Sequence, residues 1–293
     1  MLASAHLAGG ALRIGDELTT EGLDRILEHE AGDLTCTVEA GVRLSELTAE
    51  LARHGQRLSL DPPGDPTVGA LLALNLSGPL RHRFGAPRDL VLGATLVLAD
   101  GTIASAGGKV VKNVAGYDLA RLMCGSRGRL ALIARASFRL HPLPKAAQTL
   151  LVEASDPAPA VAALLRSQLQ PSALDLLHPG RIAVLFEGAP RAVEAQVTGT
   201  IGLLEPLGAL VTTSHKEEVW DESRSRQGMA RGRVRYDPGQ LGQVLERLRE
   251  ALVRPAAGIA YVPEPVAEEP NPAVERLAEA IRAVFDPHGV LSG

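Results

Sequence analysis

The side chains best suited to chemistry in this sequence crowd into residues 107–133. Gly107, Gly108, Gly116, Gly125 and Gly128 are interspersed there with Lys109, Lys112, Asn113, the pair Tyr117-Asp118 and Ser126, and the stretch closes on Leu130 and Ile133. Glycine loses more backbone entropy on folding than any other residue, so a run of it marks positive φ angles or a main chain pressed against a ligand. Successive N–H groups in such a loop make a concave nest for anions, and a following helix N-terminus adds partial positive charge. Phosphate is the guest that suits this chemistry, and a dinucleotide cofactor is the first expectation. A tight strand-to-helix connection is the competing, purely structural reading. Spacing removes two nucleotide-binding architectures: there is no G-x-x-x-x-G-K-[ST] run, and Gly125-Ser126-Arg127-Gly128 lacks the six-residue G-x-G-x-x-G frame.

A second candidate surface lies upstream. The rigid turn Asp61-Pro62-Pro63-Gly64-Asp65-Pro66 leads into Thr67-Val68-Gly69 and an expected helix running to Gly78. Small residues at Gly69, Ala70 and Ala73 leave one side of it open, and Asn75, Ser77 and Gly78 supply polar groups at its end. Histidines offer little: the eight show no H-E-x-x-H or H-x-H spacing, there is no G-x-S-x-G elbow, and each alone reads as a surface or packing residue. His82, between Arg81 and Arg83, is the exception, although no partner carboxylate is evident. Arginines beyond residue 146 read as scattered over ordinary helix faces. Glu217, Glu218, Asp221 and Glu222 around Trp220 read as a solvated acidic face.

Positioning these groups requires strands and helices. Alternation of Leu34, Cys36 and Val38 with polar residues predicts a half-buried strand ended by Gly41. Leu44, Leu47 and Leu51 share one helical face, and Gly55 is placed as a left-handed stop. Residues 91–98 and 102–103 flank Asp100-Gly101, which predicts a type I′ hairpin. Residues 130–140 close the region as a strand, and His141-Pro142-Leu143-Pro144 interrupts the pattern as a domain boundary would. Beyond it, strands are expected at 149–153, 182–186 and 232–236 and helices at 159–168, 192–204 and 241–253, an α+β layer over a sheet. A last helix is expected over 271–285, with Pro272 just inside its start.

Composition bounds the class. The chain has 293 residues, 45% hydrophobic and 22% charged, which allows a sizeable core. No apolar run approaches the ~18 residues needed to cross a bilayer, and a net charge of −4 opposes general nucleic-acid binding. Cys36 and Cys124 are the only cysteines, so cysteine-built iron–sulfur and zinc sites are excluded. No secretory leader is evident, and a reducing cytoplasm is the default location.

Taken together, Lys112-Asn113-Val114-Ala115-Gly116-Tyr117-Asp118, Gly125-Ser126-x-Gly128, Thr67-Val68-Gly69 with Asn75 and Gly78, and Arg88-Asp89-x-Val91-Leu92-Gly93 closely resemble the GlcE family of glycolate oxidase subunits, within the FAD-binding, vanillyl-alcohol-oxidase-like (PCMH-type) superfamily. The resemblance covers residues 20–144 well and the tail 285–291 more loosely. It implies an α+β fold: a two-subdomain FAD-binding domain over 1–145, shortened at its N-terminus, and an α+β cap over 146–293 whose last helix returns to the FAD domain. It also implies a cofactor lined by Thr67, Val68, Gly69, Asn75, Ser77, Gly78, Gly116, Tyr117, Asp118, Gly125, Ser126, Gly128, Leu130 and Ile133. FAD would be held non-covalently, since no histidine or cysteine matches an attachment position. Catalytic residues are not assigned. Only Gly9-Gly10 matches the family's first pyrophosphate loop, and the family's Gly-Thr-Leu-Gly-Val-Ile-Thr is here Gly128-Arg129-Leu130-Ala131-Leu132-Ile133-Ala134. The implied role is the FAD-binding subunit of a glycolate or 2-hydroxy-acid oxidoreductase complex, beside a sister flavoprotein and an iron–sulfur subunit. The complex would be cytoplasmic or membrane-associated through those partners. A flavin-free scaffold of the same complex is the alternative.

Overall fold

The computed structural model describes residues 12–13, 18–108, 118–214, 217–267 and 271–292. Its first sheet has five strands, all antiparallel, in the order β2-β3-β7-β5-β6. These are β2 (Ile26–Glu30), β3 (Thr35–Glu39), β5 (Val91–Val97), β6 (Ile103–Gly107) and β7 (Leu132–Arg139). Two-residue strands β1 (Leu12–Arg13), β4 (Gln56–Arg57), β8 (His141–Pro142) and β16 (Leu291–Ser292) form separate pairs, β1 with β16 and β4 with β8.

One sheet face is covered by α1 (Leu44–Arg53) and α2 (Val68–Ala73), which bury Leu44, Leu47 and Leu51 and Val68, Leu71 and Leu72 in one core with Val38, Leu96 and Phe138. Each such side chain contributes about 1.5–3 kcal/mol by leaving water. Gly55, at φ +67, follows α1 as the pattern predicts. α2 is shorter than the pattern suggests: Asn75 turns to φ +50 and ends it, so Ser77 and Gly78 lie beyond the helix. Short helices α3 (Arg81–Phe84), α4 (Pro87–Leu90) and α5 (Leu119–Met123) complete this body. The hairpin between β5 and β6 is not type I′, because only Gly101 takes a positive φ there, whereas that turn needs it at both central residues.

The second sheet has seven antiparallel strands in the order β12-β9-β11-β10-β14-β15-β13. They are β9 (Ala146–Glu153), β10 (Ala173–His178), β11 (Arg181–Gly188), β12 (Leu210–Ser214), β13 (Gly232–Arg235), β14 (Ala251–Arg254) and β15 (Ile259–Val262). Its helices are α6 (Pro157–Arg166), α7 (Pro190–Leu204), α8 (Glu218–Met229) and α9 (Leu241–Leu245). Where the pattern predicts one helix over 241–253, the helix stops at Leu245 and residues 251–253 enter β14.

The two faces of this sheet differ. Leu150, Val152, Leu174, Leu176, Ile182, Val184, Phe186 and Val253 pack with α6, α7 and α9. Ala173, Leu177, Ala183 and Leu252 turn the other way and pack on Val219 and Trp220 of α8. The acidic stretch is therefore the start of a docked helix with Trp220 only 6% exposed, and not simply a solvated face. Helix α10 (Pro272–Phe285) returns to the first body, where Ile281 and Phe285 touch its core. No described helix is long and apolar enough to cross a membrane.

Candidate functional site

Several residues singled out by sequence converge on one pocket of about 280 Å³ in the first body. Thr67 and Gly69 from the start of α2, and Gly128 and Ile133 from the loop and strand after α5, line it together with Ala70, Ala73, Leu74 and Arg127. Helix α2 begins here because the Thr67 hydroxyl accepts from the Ala70 amide at 3.3 Å, and the Gly69 amide donates to Ala40 O at 2.7 Å, pinning the turn to the end of β3. Small-molecule pockets run from roughly 300 to 1,000 Å³. This one therefore suits a single ring system, and its largely apolar wall suits a flat aromatic one.

The loop opposite is docked on the end of α2. The Gly125 amide donates to Leu72 O at 3.0 Å and the Arg127 amide to Ala73 O at 2.9 Å, while the Ser126 amide bonds Met123 O at 3.1 Å. Gly125 stands at φ +90, Arg127 at +55 and Gly128 at +77. The amides of Gly125, Ser126 and Arg127 are consumed inside the protein and do not form the anion nest expected from glycine content. The Ser126 hydroxyl is buried with no hydrogen-bond partner. A buried orphan of this kind is costly unless a ligand or water meets it; Ser126 is the chain neighbour of the pocket-lining Arg127 and does not itself line the pocket.

The remaining candidates are placed elsewhere. Val68 is fully buried and Leu130 nearly so, both in the core behind the pocket. Asp118 caps α5, accepting from the Arg121 amide at 3.1 Å. Asn75 lies between pocket and domain boundary, accepting the Arg88 amide at 3.4 Å and facing Gly125. The Ser77 carbonyl faces the second body, and Gly78 lies against the Asp61 main chain of the first. Gly116 and Tyr117, with Lys109 and Lys112, lie outside the described residues.

At that boundary the structure assembles a polar cluster that sequence reasoning missed. Arg254, 3% exposed, donates from Nη1 to Ser77 O at 3.3 Å and from Nη2 to Gln227 Oε1 at 2.7 Å, and its Nε lies 3.4 Å from Asp175 Oδ1. Gln227 Nε2 donates to the same Ser77 carbonyl at 2.9 Å, and Ser223 Oγ to Asp175 Oδ2 at 2.5 Å. Arg166, Arg191, Arg224, Arg226, Arg276 and Arg282 do lie on helices, but Arg233, Arg235 and Arg254 stand on strands, and register puts these three on the face shared with Tyr261 and α8. Burial lowers the pKa of His82, and the negative charge of Asp175 across the boundary opposes that shift without a described hydrogen bond between the two. Burial also lowers the pKa of Arg81, with Arg254 and Arg235 acting in the same sense and Tyr261 against them. Asp61 is pushed up to about 7 by burial, although it accepts the Leu80 amide at 3.0 Å. The only sequence signals were Asp175 inside Leu174-Asp175-Leu176 and Arg254 after Ala251-Leu252-Val253, charges within apolar runs.

Residues 5–107 match the family described as an FAD binding domain. Glycolate oxidase subunit GlcD of Bacillus subtilis is 28% identical, aligned over 97% of this chain and 61% of its own length. Glycolate oxidase subunit GlcE of Escherichia coli is 34% identical over 62% of this chain and 55% of its own. The D-lactate dehydrogenase of Archaeoglobus fulgidus is 42% identical over 46% and 31%. The chain thus spans between about a third and three-fifths of these relatives. Alkyldihydroxyacetonephosphate synthase shares the fold with a TM-score of 0.73 at 15% identity, covering 99% of this chain and 72% of that one. The match of residues 5–107 to an FAD binding domain gives FAD as the cofactor, and the likeness to alkyldihydroxyacetonephosphate synthase shows the fold.

Proposed function

We propose that this chain, with its PCMH-type FAD-binding domain, is the FAD-binding subunit of a 2-hydroxy-acid oxidoreductase complex of the glycolate oxidase type. The observation that carries the reading is the convergence of Thr67, Gly69, Gly128 and Ile133 on one apolar pocket beside the orphaned Ser126 hydroxyl. Relatives named as subunits of glycolate oxidase, and others named as D-lactate dehydrogenases, support the substrate class and a multisubunit setting. FAD, when bound, supplies acceptance of a hydride, and the protein supplies binding and orientation.

In this reading Gly69, Ala73 and Ile133 pack a ring of the cofactor. The first and second bodies enclose the reacting end between them. Arg81, half-buried at that boundary and crowded by other guanidinium groups, is the cation best placed to meet a substrate carboxylate. His82, kept neutral by burial, is the candidate to take a hydroxyl proton. Neither has the paired base and orienting carboxylate hydrogen bond of a complete acid–base unit, so turnover is assigned to the complex and not to this chain alone.

The purified protein titrated with FAD should quench flavin fluorescence and shift its visible absorption. Absence of any change favours the flavin-free scaffold. The same protein assayed with glycolate or D-lactate and an artificial electron acceptor should turn over far below ~1 per second, the low end of ordinary enzymes. A rate near that value, lost in His82→Ala, would make the chain a self-sufficient dehydrogenase and overturn the subunit reading.

A further inference from the structure

We infer that Arg254 and Gln227 are positioning residues for the cofactor site, and that the second body sets the Asn75–Gly78 turn of the first through one backbone oxygen, the Ser77 carbonyl. This rests on the FAD reading above. A carbonyl oxygen has two lone pairs, and here both are claimed from the other body: Gln227 Nε2 of α8 at 2.9 Å and Arg254 Nη1 of β14 at 3.3 Å. The two donors are themselves joined, Arg254 Nη2 to Gln227 Oε1 at 2.7 Å, so the three groups close a hydrogen-bonded ring.

Each donor is held from behind. The Arg254 guanidinium lies 5.2 Å from the Tyr261 ring centroid and its Nε faces the fully buried Asp175, which Ser223 of α8 anchors in turn. Burying a guanidinium and a carboxylate yields little net stability and is often no better than an apolar pair of the same shape. What the charges add is direction, because a planar guanidinium with one edge on Asp175 presents its other edge at one angle only.

The turn has no slack on the opposite side. Gly78 lies against the Asp61 main chain so closely that a Cβ there would overlap the Asp61 carbonyl oxygen. The Ser77 hydroxyl accepts from Arg81 Nη1 at 3.2 Å. Two residues earlier, Asn75 holds a left-handed φ and faces Gly125 in the loop that walls the pocket. Displacing Ser77 therefore displaces Asn75, and with it the packing of the Gly125–Gly128 loop on α2. The placement of the second body is read at the flavin pocket through this turn.

Gln227→Glu tests the link with least damage, since it keeps an acceptor for Arg254 and removes the donor to Ser77 O. Arg254→Lys keeps a charge for Asp175 and removes the fork. Both variants in the full chain should raise the FAD Kd at least five-fold, shift the visible flavin band, and speed amide exchange at residues 75–80 in flavin-free protein. A control against the same helix, Arg181→Gln, which breaks the pair with Glu222 of α8, should leave all three within two-fold of wild type. If Arg254→Lys fails to fold, Gln227→Glu carries the test. Wild-type FAD affinity and unchanged exchange in Gln227→Glu overturn the inference alone. No flavin uptake by the wild type overturns the inference together with the reading on which it rests.

Discussion

Asp61 concentrates a consequence of the domain boundary in one carboxyl group. Burial raises its pKa to about 7, while the Leu80 amide, Arg254 and Arg224 favour the ionised form and Asp175 opposes it. An unfolded Asp titrates near 3.9, so the folded state binds this proton more tightly than the unfolded one. The resulting stability is fully present below about pH 4 and is lost as pH rises through about 7. Urea midpoints of the wild type should therefore fall, relative to Asp61→Asn, between about pH 4 and about pH 7. Parallel midpoints across that range would show that Asp61 ionises in the fold without penalty. Asp61 was visible in the sequence only as part of a proline-rich turn. Its partners Arg224, Arg254 and Asp175 are over a hundred residues away, and pairing of that kind follows from tertiary contact, which no local spacing encodes. Gly78, by contrast, is a glycine where the backbone does come close, against the Asp61 main chain, which is what a glycine beside a small polar residue reports.

Elements were legible where their own pattern fixed them. The leucine stripe of α1 and its glycine stop needed nothing from elsewhere, and they appear as expected. β10 was missed because Ala173-Leu174-Asp175-Leu176-Leu177 has strong helix formers and no β-branched residue; its strand state comes from pairing with β11 and β14. Glycines sort by the same test of surroundings. Gly202 in α7 is exposed, with open space where a Cβ would stand, so Gly202→Ala should stabilise the protein by about 0.5–1 kcal/mol in thermal unfolding. Gly128, at φ +77 on the pocket wall, is the opposite case: Gly128→Val should fold less stably and bind FAD more weakly, measured by the same fluorescence titration. Unaltered affinity in a well-folded Gly128→Val protein would remove that loop from the cofactor site.

At the scale of the whole molecule, two separate cores are joined by few but directional contacts. Arg57 of the first body makes a bidentate pair with Glu187 of the second, both bonds at 2.7 Å, with the guanidinium 5.2 Å from the Phe84 ring centroid. Side chains there are only 15% and 9% exposed, so removing one partner strands a largely buried charge and should cost about 3–5 kcal/mol. Arg57→Gln and Glu187→Gln should each lower Tm, and the double variant should recover part of the loss. Simple additivity of the two single effects would mean that the pair is not coupled. The general architecture was readable from motif order in the first body, but the seven-stranded sheet of the second was not: β10 and β14 carry leucine- and alanine-rich runs with weak strand preference, while β12 and β15, though rich in β-branched and aromatic residues, are only four or five residues long.

The two-faced character of that second sheet also shapes how its sequence can drift. Along β10, Leu174 and Leu176 answer to hydrocarbon packing, whereas Ala173, Asp175 and Leu177 answer to α8 and the neighbouring body. Neighbouring codons are thus under two different selections that interleave with a period of two. A saturation library sorted once for soluble abundance and once for retained flavin should give two tolerance profiles along 173–177 that are out of phase. Replacing Asp175 strands the buried Arg254 guanidinium and so lowers abundance as well as register, whereas exchanges among apolar side chains at 174 and 176 are read by packing alone.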